Sequence, residues 1–246
     1  MDEKMNITKI EWTDYSWNPI TGCNNRCLYC YAKKMATRLK GRSGYDKEAP
    51  FKPTFHPQRL AQPLTKTKQS MIFTCSMGDF FDIEVKSNWR EDIYKVMDKA
   101  KWHAYQILTK QKIIEPEFRD KFPKNLWLGV SIDGTSRYWQ EPLETLKKSS
   151  AIMKFISFEP LLGDFLPDDL TGIDWAIIGA QTGIGAKSVN PKIVNRVVDL
   201  ISSYDIPLFV KPNIRGQIPK NPGSEWVLRE EFPQSFYRAR KSIEAL

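Results

Sequence analysis

Cys23, Cys27 and Cys30 stand in the order C-x-x-x-C-x-x-C, with Tyr29 immediately before the last of them. Three thiols at that spacing can hold metal from one short loop. A 4Fe–4S cubane has four irons, and each takes one ligand besides the bridging sulfides. Three thiolates therefore leave one iron open, which suits chemistry on a bound molecule better than electron storage alone. Zinc is the competing metal, and a structural zinc takes four protein ligands. The fourth would have to come from Cys75, His56 or His103, and none of these sits in the second C-x-x-C or H-x-x-x-H pair of a zinc ribbon or finger. A disulfide framework fits poorly, because four cysteines in 246 residues are sparse and three of them crowd one loop.

The elements that must position this loop are written as short apolar runs. Tyr15–Ile20 precedes the cysteines, although Pro19 interrupts it. Met71–Cys75, Ala104–Leu108, Leu126–Val130, Ile152–Ser157, Trp175–Ile178 and Pro207–Val210 follow. Each is continuous rather than alternating, the pattern of parallel strands buried on both faces. Helical signals lie between them. Asn88 with Glu91 reads as a capping box ahead of an apolar stripe at Ile93, Val96, Met97 and Ala100. Asn190-Pro191 reads as an N-cap and first helical residue before Val194, Val197, Val198 and Ile201. Alternating β and α at this spacing predicts right-handed βα units and an α/β fold, a partial TIM-type barrel of about seven parallel strands.

In such a barrel the active site gathers at the carboxyl ends of the strands. Stretches with polar residues stand at those positions: Ser76-Met77-Gly78-Asp79, then Thr109-Lys110, Ser131 and Asp133, Glu159-Pro160, Gln181 and Lys211. Any βα loop is polar, so the distinctive members are Lys110, Glu159 and Lys211, long ionisable groups directly after buried runs.

The length suits one barrel domain over 1–246, with a Pro- and Lys-rich excursion at about 41–70 and a short C-terminal extension from about 216. The amino end is charged and no segment approaches the apolar run of a membrane span, so a cytoplasmic protein with reduced thiols and no membrane partner is expected. The net charge of +8 is concentrated. Residues 33–68 hold ten Lys or Arg against Asp46 and Glu48, leaving 27 of each sign elsewhere. That segment reads either as a path for nucleic acid or as a solvated helix face and loop.

The segments IEWTDYSWNPITGC, CSMGDFF, YQILTK, NLWLGVSI, FISFEPLLGDF and IDWAIIGAQTG follow one another in an order that resembles a phage-associated, three-cysteine-motif family related to the radical SAM superfamily. The resemblance covers about residues 8–215. It implies a partial barrel with the cluster in the loop after the first strand. It also implies S-adenosylmethionine bound at the open iron and split to methionine and a 5′-deoxyadenosyl radical that abstracts hydrogen from substrate. Cys23, Cys27 and Cys30 would then ligate iron, and Tyr29 would pack near the adenine. Ser76, Met77, Gly78 and Asp79 lie where these enzymes contact the methionine amino group. Ser131 and Asp133 lie where the ribose is held. A flavodoxin- or ferredoxin-type partner would supply the electron. Lys110, Glu159 and Lys211 would orient substrate or cofactor, or move protons.

The chain departs from the pattern in its substrate half. Gly179-Ala180-Gln181-Thr182-Gly183 stands in place of Gly-Gly-Glu-Ser-Gly, Gln111-Lys112 in place of Arg-Pro, and Lys211-Pro212-Asn213 in place of Lys-Gln-Trp. Cys75 has two readings: a hydrogen-atom donor to a substrate radical, or a small buried hydrophobe. His56 and His103 read as structural or surface residues. The function expected is a radical SAM enzyme acting on a nucleic-acid base or nucleotide. The alternative is a non-catalytic nucleic-acid-binding protein stapled by an iron–sulfur or zinc site.

Overall fold

The computed structural model describes residues 5–218 and 225–234. In chain order its regular elements are β1 (Asn6–Ile7), β2 (Tyr15–Trp17), β3 (Ile20–Thr21), α1 (Tyr31–Arg38), β4 (Thr54–Phe55), β5 (Met71–Thr74), α2 (Ser87–Lys99) and β6 (Ala104–Thr109). There follow β7 (Leu126–Ser131), α3 (Gln140–Lys148), β8 (Met153–Phe158), β9 (Trp175–Ile178), α4 (Pro191–Ser203), β10 (Leu208–Val210) and the single-turn α5 (Pro212–Arg215). The fold is mixed α/β. Its main sheet is mostly parallel, in the order β1-β2-β5-β6-β7-β8-β9-β10, and β3-β4 form a separate two-stranded sheet. Among the described residues no closed barrel forms.

The chain divides into two compact units, 1–128 with 149–152, and 129–148 with 153–246, so β7 belongs to both. In the first unit β2, β5 and β6 are parallel and in register, with Tyr15 beside Ile72 and Ile72 beside Tyr105. All four residues of β5 are buried, as a strand covered on both faces must be. Trp17 is fully buried against Tyr105, with ring centroids 5.7 Å apart. Its indole N–H donates to the Arg59 carbonyl at 2.8 Å, so the largest apolar side chain of β2 leaves no buried donor unpaired. In the second unit β8, β9 and β10 are parallel. Residues 229–231 run along the edge of β10, where Val210 N–H donates to Arg229 O at 2.9 Å. Thus residues 229–231 of the C-terminal extension belong to this edge, while 219–224 and 235–246 lie outside the described residues.

Two expectations need correction. The first strand does not run unbroken to Ile20. It stops at Trp17, and after Asn18-Pro19 the chain leaves the main sheet to pair with β4. Proline cannot donate to a ladder, and the Pro19 carbonyl is taken by His56 N–H at 2.8 Å. Asn88 is not a cap. Helix α2 already begins at Ser87, with Lys86 at the N-cap position and no side-chain cap, although its stripe of Ile93, Val96 and Met97 is buried as expected. Asn190 does cap α4, its side chain accepting from Lys192 N–H at 3.0 Å.

Candidate functional site

The cysteine loop begins where β3 meets the turn after β5. Gly22 takes φ +82 and its N–H donates to Met77 O at 2.8 Å, forming a parallel bridge with Gly78. A Cβ on Gly22 would lie 2.3 Å from Lys52 O, and one on Gly78 would lie 2.7 Å from Gly22 O. Only glycine fits at either place, and the next residue is Cys23. Further along, Cys27 N–H bonds Asn25 O at 2.8 Å and Cys30 N–H bonds Cys27 O at 3.2 Å. Cys30 is the N-cap of α1, its sulfur accepting from Lys33 N–H at 3.3 Å. Its place as the N-cap therefore fixes this sulfur at the amino end of α1.

A buried carboxylate ties the loop to its neighbours. Asp79 is 4% exposed. Its Oδ1 accepts from Thr109 Oγ1 at 2.6 Å and Phe81 N–H at 3.1 Å, and its Oδ2 accepts from Lys110 N–H at 3.0 Å and Asn25 Nδ2 at 2.9 Å. Asn25 Oδ1 in turn accepts from the Gln111 amide. Asp82 makes a second tie through Asn24, whose backbone N–H reaches Oδ2 at 2.6 Å and whose side-chain amide reaches Oδ1 at 2.9 Å. The turn itself is pinned by Asn18, whose Oδ1 accepts from Met77 N–H at 2.9 Å and Ser76 Oγ at 3.2 Å. The Tyr31 hydroxyl donates to Ser76 O. Lys110 carries its ammonium 5.7 Å from the Tyr29 ring centroid. The structure therefore gathers Tyr29, Ser76, Met77, Gly78, Asp79 and Lys110 around the cysteine loop. It spends both Asp79 oxygens on protein donors, so an ammonium reaching Asp79 must displace one of them.

Burial, reinforced by the charge of Asp79, pushes the Cys23 thiol up to about 12. Burial likewise raises the Asp79 carboxyl above the usual carboxylate range, against the bonds from Thr109, Lys110 and Phe81. Cys75 is 3% exposed, at φ +63, and burial pushes its thiol up to about 12 as well. It is a packed core thiol. His56 Nε2 lies 2.8 Å from Thr21 Oγ1, and His103 Nε2 lies 3.1 Å from the Pro63 and Lys66 carbonyls. The three candidates for a fourth zinc ligand are thus placed in core or carbonyl contacts. Among the described residues no three His, Cys, Asp or Glu side chains are drawn together as a ligand group, the three loop thiols included. Their chemistry fits an iron–sulfur cluster: three half-buried soft donors in one loop, one of them at a helix N-terminus.

The second unit carries its own polar strand ends. Lys211, after β10, forms an ion pair with Glu159, after β8, and their side chains are 12% and 23% exposed. A Cβ on Gly179, after β9, would lie 2.9 Å from both side chains, so the glycine makes room for the pair. Ser131 Oγ donates to Glu159 O at 3.2 Å. Asp133 Oδ1 accepts from Thr135 N–H at 2.9 Å and Thr135 Oγ1 at 2.7 Å, forming a turn. Gln181 Oε1 accepts from Lys187 N–H at 3.1 Å. Asn213 bonds both backbone groups of Ala180, at 3.1 and 2.8 Å, so it ties the end of β9 to the start of α5. Sequence reasoning missed Asn18, Asn24, Asn25 and Asp82, and named Gln111 and Asn213 only as departures from the resemblance. The signal was faint, an Asn-Asn pair inside the cysteine loop and polar residues one step beyond the strand ends.

Among the described residues no helix is long and apolar enough to cross a membrane. The family described as "Protein of unknown function (DUF5131)" matches residues 7–220. No curated protein and no solved structure matches the chain.

Proposed function

The chain belongs to this DUF5131 family, and since that membership brings no activity with it, we propose from the chain's own residues a radical SAM enzyme. The reading includes a partial-barrel fold and a cytoplasmic setting in which thiolates stay reduced. The observation that carries it is the cysteine loop: three cysteines on a backbone pinned on both sides, with the other cysteine packed in the core and both histidines engaged in other contacts.

Cys23, Cys27 and Cys30 are the ligands in this reading. When bound, a 4Fe–4S cluster supplies the electron that splits S-adenosylmethionine, received from a flavodoxin- or ferredoxin-type donor. The Gly22–Gly78 crossing and the Asp79 carboxylate fix where the loop presents its sulfurs. Tyr29 offers an aromatic face to the adenine, beneath the Lys110 charge. The turn of Ser76, Met77 and Gly78 offers backbone groups to the methionine end, and Ser131 and Asp133 would serve the ribose if the resemblance to radical SAM enzymes holds. In the second unit the Lys211 ammonium donates to Glu159, so the pair can hold or pass a proton between Nζ and Oε1.

Protein purified without oxygen should be brown and hold about four irons per chain. Alanine at Cys23, Cys27 or Cys30 should remove the iron, while Cys75→Ala should keep it. With dithionite and S-adenosylmethionine the parent should form 5′-deoxyadenosine, which a merely stapled nucleic-acid-binding protein would not. A colourless protein holding one zinc would refute the assignment.

A further inference from the structure

The excess charge of the chain has a shape. Of the ten cations in residues 33–68, Arg59 donates to the Asn18 and Ser43 carbonyls, and Lys66 lies 4.7 Å from the Tyr15 ring centroid. The other eight, Lys33, Lys34, Arg38, Lys40, Arg42, Lys47, Lys52 and Lys68, are exposed, and no described ion pair engages them. A helix face that is merely solvated pairs its cations with acids one turn away, yet α1, YAKKMATR, has no acid at all. Beyond α1 the chain lines an open groove of about 1030 Å³ with Arg42, Tyr45, Lys52, Phe55, Lys86 and Trp89. Asp46 and Glu84 also line it, and the Asp46 carboxylate accepts from the Glu48 and Ala49 N–H groups at 2.8 and 2.7 Å.

The groove is aromatic as well as basic. Phe55 and Trp89 stack at 5.4 Å with their planes 9° apart, and the Lys86 ammonium lies 5.6 Å from the Trp89 centroid. Phe55 and Trp89 are both half-buried, so each residue keeps some exposed surface. The groove is continuous with α1, since Arg42 Nη2 donates to Arg38 O at 3.0 Å and Gly41 N–H to Tyr45 O at 2.9 Å. The helix spans about 12 Å from the cysteine loop to this junction, the rise of three or four stacked nucleotides at about 3.4 Å each. Cations along a track with aromatic faces at its end match an unpaired strand. A duplex offers phosphates and groove edges but keeps its base faces covered.

We infer that this groove, with the cationic edge of α1, binds single-stranded nucleic acid. The step from ligand to substrate rests on the enzymatic reading above, whereas the binding does not. Fluorescence anisotropy with labelled oligo-dT and oligo-rU of about twelve nucleotides tests it, on protein as purified, from about 50 to 200 mM salt. The affinity should fall linearly on a log–log plot, with a slope near −0.7 per phosphate contact, hence about −2 or steeper if Arg42, Lys52 and Lys86 all take part. Arg42→Glu with Lys52→Glu should weaken binding and flatten the slope by about 1.4. Trp89→Ala should cost roughly 5- to 150-fold with the slope unchanged. Should Trp89→Ala fail to fold, the two exposed charge reversals still decide, with Lys148→Glu on α3 as the control. The assignment is overturned if the parent binds neither oligonucleotide at low salt. It is equally overturned if a duplex binds as tightly, or if the groove reversals weaken binding no more than Lys148→Glu. Formation of 5′-deoxyadenosine is measured separately, so failure of one reading does not mask the other.

Discussion

Asp79→Asn isolates the clamp beneath the cysteine loop, because the substitution keeps shape and volume and removes only one acceptor oxygen. The parent carboxylate takes four donors, two on each oxygen. An amide can face them in two ways. With its NH2 at the Oδ2 position it meets Lys110 N–H and the Asn25 amide, and Asn25 cannot turn over without losing Gln111. With its NH2 at the Oδ1 position, the Thr109 hydroxyl can rotate to accept, and Phe81 N–H alone is stranded. The second arrangement is the cheaper, and one stranded buried donor costs about 1–3 kcal/mol. In a chain of this size that is a fall of about 2–12 °C in melting temperature. Asp79→Ala strands all four donors and should cost at least about 4 kcal/mol, a large part of the 5–15 kcal/mol typical of a folded domain. Differential scanning calorimetry with iron analysis reads both effects, and iron retention should fall from parent to Asn to Ala. An Asn variant that melts with the parent and holds all its iron would refute the clamp, leaving Asp79 available for the ammonium of a bound ligand.

Acid should loosen the same region from the other side. Burial, helped by the Arg59 charge, pushes His56 down to about 4, so its neutral form is the folded one. Stability from this residue is complete above about pH 6.5 and is lost as pH falls towards 4, at most about 2 kcal/mol between pH 6.5 and 5. Denaturant melts at pH 7 and 5 should show that loss in the parent and a smaller one in His56→Phe; equal losses would refute the assignment. In the second unit, Gly179→Ala places a methyl 2.9 Å from both Glu159 and Lys211 and should part them; under the proposed enzymatic reading this lowers turnover with little change in iron content. An unaltered rate would show that the ion pair has no part in the chemistry.

Much of this was legible because of how parallel strands are buried. Met71–Cys75, Leu126–Val130 and Trp175–Ile178 are apolar on both faces, and each became a strand within a residue or so of its sequence bounds. By contrast β1 and β4 are two residues long, with no run to read. The polar clamps were hidden for another reason. Asn24 meets Asp82 across 58 positions and Gln111 meets Asn25 across 86, so no local pattern marks them. The cysteine spacing was plain from the start, but Cys30 as the cap of α1 depends on where the helix begins, and boundaries are the least certain part of a pattern.

The Gly22–Gly78 crossing also governs how this chain can change over generations. The Cβ that alanine would add at either position meets backbone, at 2.3 Å for Gly22 and 2.7 Å for Gly78, and backbone cannot turn aside as a side chain does. Neither glycine can mutate first and wait for the other to compensate, since each obstruction belongs to the main chain and not to the partner's side chain. One-residue changes at Gly22 or Gly78 are therefore closed to lineages of this chain, and the approach to Cys23 stays frozen.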